Sequence, residues 1–290
     1  MDLKDPITPI SLIEEAFFEP RDLELRILRL DLLNGNKGYK LKYNLEQMRH
    51  LGKSHLVTYG GAYSNHLAAV ADAGKKHGIK TTGIIRGQEH EPLNPTLSQA
   101  KKQGMELLYV SRELYRDKAA LHQWTIKELG EDPYILPEGG SNALAVKGCK
   151  EILDHIDYQP DIICCACGTG ATVAGISSSE KGKGRTIGFS ALRDTSFFHD
   201  AIAGFTDKQT ADSTPVIGDY HFGGYGKVKP DLLDFVKNFQ EKHRIQLDYI
   251  YNGKMLFGIY DRIAKGQFKR GTKILAVHSG GVQGNKGIKS

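Results

Sequence analysis

Apolar and polar positions switch period repeatedly along the chain. Leu23-Glu24-Leu25-Arg26-Ile27-Leu28-Arg29-Leu30 alternates apolar with charged side chains, the two-residue period of a strand. Asn44 to Leu51 reads as a helix ending before Gly52. Four apolar runs then read as strands: Ser54 to Tyr59, Ile79 to Ile85, Met105 to Val110 and Tyr134 to Leu136. Helical spacing fills the gaps between them. Leu67, Val70 and Ala71 share one face of a helix that stops at Gly78; Asn94 or Thr96 caps a second that runs to Gly104; a third passes through Trp124. Ala143 to Ile156 is helical again. The second half repeats this grammar, with strands at Asp161 to Cys165, Thr186 to Ser190 and Ile274 to Val277. A helix follows Gly168-Thr169-Gly170-Ala171-Thr172, and Leu232, Phe235, Val236 and Phe239 give Asp231 to His243 an apolar face. After the short apolar Tyr249 to Tyr251, Asn252-Gly253-Lys254 opens another helix; residues 206–230 are less regular. Such alternation predicts an α/β fold of open, mostly parallel sheets flanked by helices, with ligands in the loops after strand C-termini.

Composition narrows the class. The 290 residues suit one large domain or two ordinary ones, and 40% hydrophobic with 25% charged residues is a soluble, globular balance. The net charge of +5 is mild and its basic residues are spread out, which gives no nucleic-acid footprint. No apolar run reaches membrane-span length, and Met1 to Pro6 lacks the basic start and apolar core of a signal peptide. Of the four cysteines, Cys164, Cys165 and Cys167 crowd one apolar strand, a poor disulfide geometry, and Cys149 stands apart. No second Cys or His group at zinc-site spacing accompanies them, so buried thiols in a reducing cytoplasm are expected rather than a metal site.

Several stretches carry candidate chemistry. Gly35-Asn36-Lys37-Gly38-Tyr39-Lys40 sets a lysine among small and amide residues, which suits either an exposed turn or a lysine reaching a bulky ligand near the backbone. Gly168 to Thr172 lies between an apolar strand and a helix, where backbone N–H groups converge on an anion and Thr169 and Thr172 add hydroxyls; a plain tight turn fits the same spacing. The dinucleotide fingerprint is not met, because the glycine after Gly170 is Gly175, and Arg185 to Ser190 offers no acidic residue for a ribose. Gly60-Gly61-Ala62-Tyr63-Ser64-Asn65-His66 is a second strand-to-helix corner; Ser64 is outside any GxSxG elbow, and Ser64 or Asn65 is a natural helix cap. Gly224-Tyr225-Gly226, Tyr251-Asn252-Gly253-Lys254 and His278-Ser279-Gly280-Gly281 are weaker by themselves.

Taken in order, these stretches resemble the pyridoxal phosphate (PLP) enzymes of the 1-aminocyclopropane-1-carboxylate (ACC) deaminase and D-cysteine desulfhydrase family, which have the tryptophan-synthase-β-like fold, fold type II. The likeness runs from about residue 20 to 285. It implies that Lys37 forms the Schiff base with PLP, and that Lys40, Asn65, Gly168, Thr169, Gly170 and Thr172 hold the phosphate. It gives Ser64 the substrate carboxylate or a proton-transfer role and sets Tyr225 and Tyr251 over the reacting carbons. Asn252 and Ser279 fall where the family contacts the pyridine nitrogen. Residues 1–42 with 146–290 would form a large domain, 43–145 a small inserted one, and the protein would be a homodimer acting on a small amino acid.

The family holds two reactions. The deaminase opens the ACC ring to 2-oxobutanoate and ammonia; the desulfhydrase removes a Cα proton and expels sulfide, giving pyruvate, hydrogen sulfide and ammonia. The deaminase pattern carries Glu where this chain has Asn252, and Gln where it has His66. Ser279 matches the hydroxyl residue of the desulfhydrase pattern. The expectation is therefore β-elimination of D-cysteine or a related amino acid. ACC deamination is the alternative, and a non-catalytic PLP or metabolite binder is a third reading.

Overall fold

The computed structural model describes residues 9–33, 35–130 and 132–287, and two sheets organise it. In chain order the main elements are β1 (Ile10–Ile13), β2 (Glu24–Arg29), α1 (Asn36–His50), β3 (His55–Gly60), α2 (Asn65–His77), β4 (Lys80–Arg86), α3 (Pro95–Lys102), β5 (Glu106–Val110), α4 (Arg112–Arg116), α5 (Lys118–Leu129), β6 (Tyr134–Leu136), α6 (Ala143–Lys150), β7 (Ile162–Cys167), α7 (Ala171–Ser177), β8 (Thr186–Ser190), α8 (Phe198–Phe205), α9 (Lys208–Asp212), β9 (Val216–Ile217), α10 (Pro230–His243), α11 (Asn252–Ala264) and β10 (Lys273–His278). One sheet has the order β1-β2-β10-β7-β8-β9, the other β5-β4-β3-β6. Every pairing is parallel except β1 with β2.

The two-residue strand period decides which face each side chain packs on. In the larger sheet Leu25, Ile27, Cys164, Ala166, Ile274 and Ala276 face one apolar cluster. Leu28, Ile163, Cys165, Cys167, Leu275 and Val277 face a second. The smaller sheet does the same with Leu56 and Ile85 against Val57 and Ile84. Both sheets are thus covered on both faces, as parallel strands require. All four cysteines are buried free thiols, and burial raises Cys164 and Cys167 to about 12.

Several elements differ from the sequence reading. Helix α1 starts at Asn36 rather than Asn44, so Lys37 sits in a first helical turn. The helix through Trp124 is two, α4 and α5, broken at Asp117, whose carboxylate caps α5 by accepting the Ala120 N–H at 2.9 Å. Asn94, not Thr96, caps α3. The helix predicted from Ala143 to Ile156 ends as α-helix at Lys150. The irregular stretch contains α9 and β9, and β1 went unread. No described helix is long and apolar enough to cross a membrane.

Candidate active site

Loops after β3, β7 and β10 and the N-termini of α1, α2, α7 and α11 border one cleft of about 1510 Å³. Helix N-termini carry positive partial charge and first-turn N–H groups without intrahelical acceptors. Of these, the start of α7 has no side-chain cap and leaves its N–H groups for an anionic ligand, whereas Ser64 caps α2 and Asp248 takes the N–H groups that open α11.

Lys37 is placed by a close contact between distant parts of the chain. Gly35, at φ 69°, lets α1 begin against the corner after β10; a Cβ there would come within 2.5 Å of the Ser279 carbonyl oxygen. The Asn36 N–H donates to that oxygen at 3.1 Å. Asn36 also joins two predicted site residues: its Nδ2 donates to Thr172 Oγ1 at 2.9 Å, and its Oδ1 accepts from Lys37 Nζ at 3.2 Å. Burial, then the neighbouring Lys40 amine, push the Lys37 pKa down to about 7. Near neutral pH a substantial share of this amine is therefore unprotonated. Lys40 donates to Gly139 O at 3.0 Å and Ser141 Oγ at 3.3 Å, which leaves one of its three N–H groups for a ligand.

The corner after β7 presents mainly backbone. A Cβ on Gly168 would lie 2.9 Å from the Tyr251 ring, so the tyrosine rests directly on this loop. Gly170 has φ 86°, and α7 has no side-chain cap. Thr169 Oγ1 contacts Ser141 Oγ at 2.5 Å, closing the loop onto the turn after β6.

The corner after β3 presents side chains. Ser64 accepts the Leu67 N–H at 3.3 Å, so it is a helix cap and a cleft residue at once. Asn65 opens α2 with its Oδ1 buried and without a hydrogen-bond partner, and its Nδ2 faces Gly281, where a Cβ would lie 2.4 Å away. His66 is buried beside both lysines. Thr58 gives its hydroxyl proton to Leu136 O at 2.9 Å, so its contact with His66 Nε2 at 2.8 Å assigns the proton to Nε2. Burial first, then Lys37 and Lys40, hold the His66 pKa well below its usual value.

Tyr225 and Tyr251 face each other at 6.0 Å between ring centroids. Burial, then Tyr225, push the Tyr251 phenol well above its ordinary range, so it stays protonated. Buried Lys254 ties the loop of Tyr225 to α11 by donating to His221 O at 2.8 Å and Gly224 O at 2.9 Å.

The cleft is lined by Lys37, Lys40, Ser64, Asn65, Gly168, Thr169, Gly170, Thr172, Tyr225, Tyr251 and Ser279. Asn252 is different: it is fully buried behind the wall, with its amide turned to Asp248, Gly280 and Ser279. The sequence reading passed over Asn36, Ser141, Asp248 and Lys254. Asn36 and Lys254 stood inside quoted motifs, and Ser141 stood in the Pro137-to-Asn142 turn. Asp248 had only the faint signal of an acidic residue just before a helix.

The comparisons with known proteins agree with this geometry. A family model described as pyridoxal-phosphate dependent enzyme matches residues 29–280. The bifunctional D-cysteine desulfhydrase/1-aminocyclopropane-1-carboxylate deaminase, mitochondrial, of Arabidopsis thaliana is 31% identical over 91% of this chain and 74% of that protein. A D-cysteine desulfhydrase of Klebsiella pneumoniae subsp. pneumoniae is 27% identical over 86% of this chain and 83% of its own length. A crystal structure of an ACC deaminase homologue superposes with a TM-score of 0.80 at 26% identity, covering 96% of this chain and 90% of the other. The chain therefore belongs to the pyridoxal-phosphate dependent enzymes, within the ACC deaminase and D-cysteine desulfhydrase family.

Proposed function

We propose that this enzyme β-eliminates D-cysteine or a related small amino acid, giving pyruvate, sulfide and ammonia, with Lys37 as the residue that carries the cofactor. The residues fit that cofactor. An amine with a depressed pKa suits condensation with an aldehyde. The Gly168–Thr172 corner and the free N–H of Lys40 supply donors and positive charge for an anionic group, and the unpartnered Asn65 amide oxygen offers an acceptor to a hydroxyl or N–H of the same ligand. When bound, PLP would supply the electron sink for chemistry at the substrate Cα.

Each residue then has a task. Lys40, Asn65, Gly168, Thr169, Gly170 and Thr172 would hold the phosphate, and Asn36 keeps Thr172 and Lys37 in register. Ser64 orients the substrate carboxylate from the N-terminus of α2. Lys37 Nζ takes the proton from the substrate Cα. Tyr225 and Tyr251 close the cleft over the reacting carbons, and the protonated Tyr251 hydroxyl hydrogen-bonds there. Asn252 supports Ser279 from behind rather than meeting the ligand itself.

The observation that supports the elimination reading is that Asn252, a neutral amide, is turned from the cleft toward Asp248, Gly280 and Ser279, so that position gives the ligand no carboxylate, while the Lys37 amine stands in the cleft where it could accept a Cα proton. D-cysteine has that proton and ACC does not. Ring opening is the second reading, favoured by the double name of the Arabidopsis relative. Steady-state assays with D-cysteine, L-cysteine, β-chloro-D-alanine and ACC separate them: sulfide and pyruvate from D-cysteine are expected, and fast ACC turnover with inert D-cysteine would reverse the assignment. Lys37→Ala is expected to lower turnover by about 10³-fold or more and to abolish the visible absorbance of the bound cofactor.

The proposal includes the two-domain division into 1–42 with 146–290 and 43–145. In its support, the larger sheet draws only on residues before 30 and after 161, and the smaller only on 55–136. Both cuts fall within helices α1 and α6, which approach so closely that a Cβ on Gly148 would lie 2.0 Å from the Tyr39 carbonyl oxygen. It also includes the homodimer that the resemblance implies, which sedimentation equilibrium can check.

A further inference from the structure

The smaller sheet borders a second hollow that the chemistry above does not use. Its strands β3, β4 and β5 are parallel neighbours, so their C-terminal ends lie side by side, where ligands of such sheets bind. The end of β3 is the glycine corner of the cofactor cleft. The end of β4 is Arg86, in register with Val110, after which β5 leads through Ser111 into α4. A pocket of about 650 Å³ stands there, within the size range of small-molecule sites. Gly61, Ala62, Arg86 and Glu138 line both it and the cleft, so the two spaces adjoin. Burial raises the Tyr225 pKa, and Tyr251, Arg86 and Glu138 act on it too, so the pocket lies beside the ring that the reading above sets over the reacting carbons.

The pocket lining is cationic. Arg86, Arg112, Arg116 and Lys118 stand against one acidic residue, Glu138, and Lys118 takes that carboxylate at 3.1 Å. Among the described residues no carboxylate pairs with Arg86, Arg112 or Arg116. Arg112 and Arg116 are four apart on α4, a spacing at which like charges cost a helix stability, so the helix itself gives no reason for the pair. Tyr115, between them in sequence, is 2% exposed, and its hydroxyl has no hydrogen-bond partner. Burial, then Glu138, raise its pKa, so its proton stays in place, while Glu138 lies outside hydrogen-bond geometry. The Arg86 guanidinium and the Lys118 amine lie over the Tyr115 ring, 5.6 and 4.5 Å from its centroid. Arg86 also reaches the β3 corner: a Cβ on Gly61 would touch its Nη2 at 3.5 Å, and the Gly61 carbonyl accepts the Ser64 N–H at 3.0 Å. The guanidinium therefore rests against the turn that presents Ser64.

We propose that this pocket binds the acidic end of the substrate side chain, so that the preferred substrates are small amino acids whose β-substituent ends in an oxyanion such as a phosphate or a sulfonate. The inference rests on the elimination reading above and names its leaving group. Guanidinium groups set two N–H donors against two oxygens at once, a match for oxyanions that a lone thiolate sulfur does not offer. The Tyr115 hydroxyl adds one more donor that has no acceptor within the protein. With such a substrate the Cα proton passes to Lys37, and the Cβ–O or Cβ–S bond breaks with its electron pair leaving on the departing oxyanion. Water then hydrolyses the released enamine to pyruvate and ammonia. The arginines meet the negative charge that grows on the leaving group as the bond breaks, which favours the transition state over the bound substrate.

The test follows pyruvate release by the PLP-loaded protein from D-cysteine and from both hands of O-phosphoserine, while calorimetry follows inorganic sulfate binding to the same protein. One hand of O-phosphoserine is expected to exceed D-cysteine in kcat/KM by about tenfold. The double variant Arg112→Met/Arg116→Met should lower the ratio of the two kcat/KM values by about tenfold or more, and Tyr115→Phe, which keeps the ring, by about threefold. Sulfate should compete with O-phosphoserine, and its calorimetric signal should disappear in the double variant. Turnover of D-cysteine with none of O-phosphoserine overturns this inference alone, as does a ratio that survives the double variant. Sulfate that binds and alters D-cysteine turnover without displacing O-phosphoserine makes the pocket an effector site for a free anion and overturns the substrate assignment. No pyruvate from any of the three amino acids removes the elimination reading and this inference with it.

Discussion

The corners after β3 and after β7 are both glycine-opened strand-to-helix turns on the same cleft, yet only the first caps its helix with a side chain. Ser64 takes the Leu67 N–H, whereas Gly170 begins α7 with nothing to offer. Capping satisfies one of the orphan donors at a helix start; leaving it undone keeps those donors available. The β3 corner thus offers its ligand side chains, Ser64 and Asn65, and the β7 corner offers backbone. The glycines differ accordingly. A Cβ on Gly60 would strike the corner itself, at Leu67 and Ser64, with the nearest atom at 2.7 Å. A Cβ on Gly168 would strike Tyr251, which belongs to the site.

That contrast predicts different failures. The largest belongs to Gly168→Ala, which forces Tyr251 off the loop; PLP affinity is expected to fall about 100-fold, read by equilibrium dialysis, with little change in the melting temperature of the cofactor-free protein. Undiminished affinity would show that the β7 corner does not hold the cofactor. Gly60→Ala should instead cost about 2 kcal/mol of stability in urea unfolding, through overpacking inside the corner. If it weakens PLP binding and leaves stability intact, the two corners have been assigned the wrong way round.

Lys37 lies between the corners and gives the next effect. Its depressed pKa means the free amine grows as pH rises and is nearly complete one unit above 7. The rate of PLP uptake by the cofactor-free protein should climb about tenfold from pH 6 to pH 8 and then level off. A rate that goes on climbing past pH 9 would return the amine to ordinary lysine behaviour. Because Lys40 contributes to the depression, Lys40→Met should move the rise to higher pH. The smallest effect is on the cap: Ser64→Ala should cost about 1 kcal/mol of stability. If Ser64 also holds the substrate, KM rises with it, whereas a KM that does not move leaves Ser64 as a cap alone.

Much of this was legible in local pattern. Two-residue and helical periods located most strands and helices, because parallel strands covered on both faces are nearly continuous apolar runs. The glycine corners announced themselves by composition. What local pattern misread was decided by contacts far apart in sequence. Helix α1 looks weak at Gly35-Asn36-Lys37-Gly38, and it begins there because the Ser279 carbonyl receives the Asn36 N–H. Residues 206–230 look irregular because α9 and β9 are short and β9 is an edge strand on β8. Asn252 reads as a ligand residue from its motif, whereas its amide is buried against Asp248, four residues earlier, and Gly280, which only the fold brings to it.

The sequence alone determined the α/β class, the strands and the family resemblance, because periodicity and residue order are local properties of the chain. The tertiary structure decided what those residues can do. It set Lys37 and its helix neighbour Lys40 in the half-buried wall of the cleft and so lowered the Lys37 pKa, and it turned Ser279 against Asn252. Proton affinity and hydrogen-bond polarity are set by burial and by neighbours in space, and the packing that creates this wall joins distant segments, as where the Asn36 N–H meets the Ser279 carbonyl.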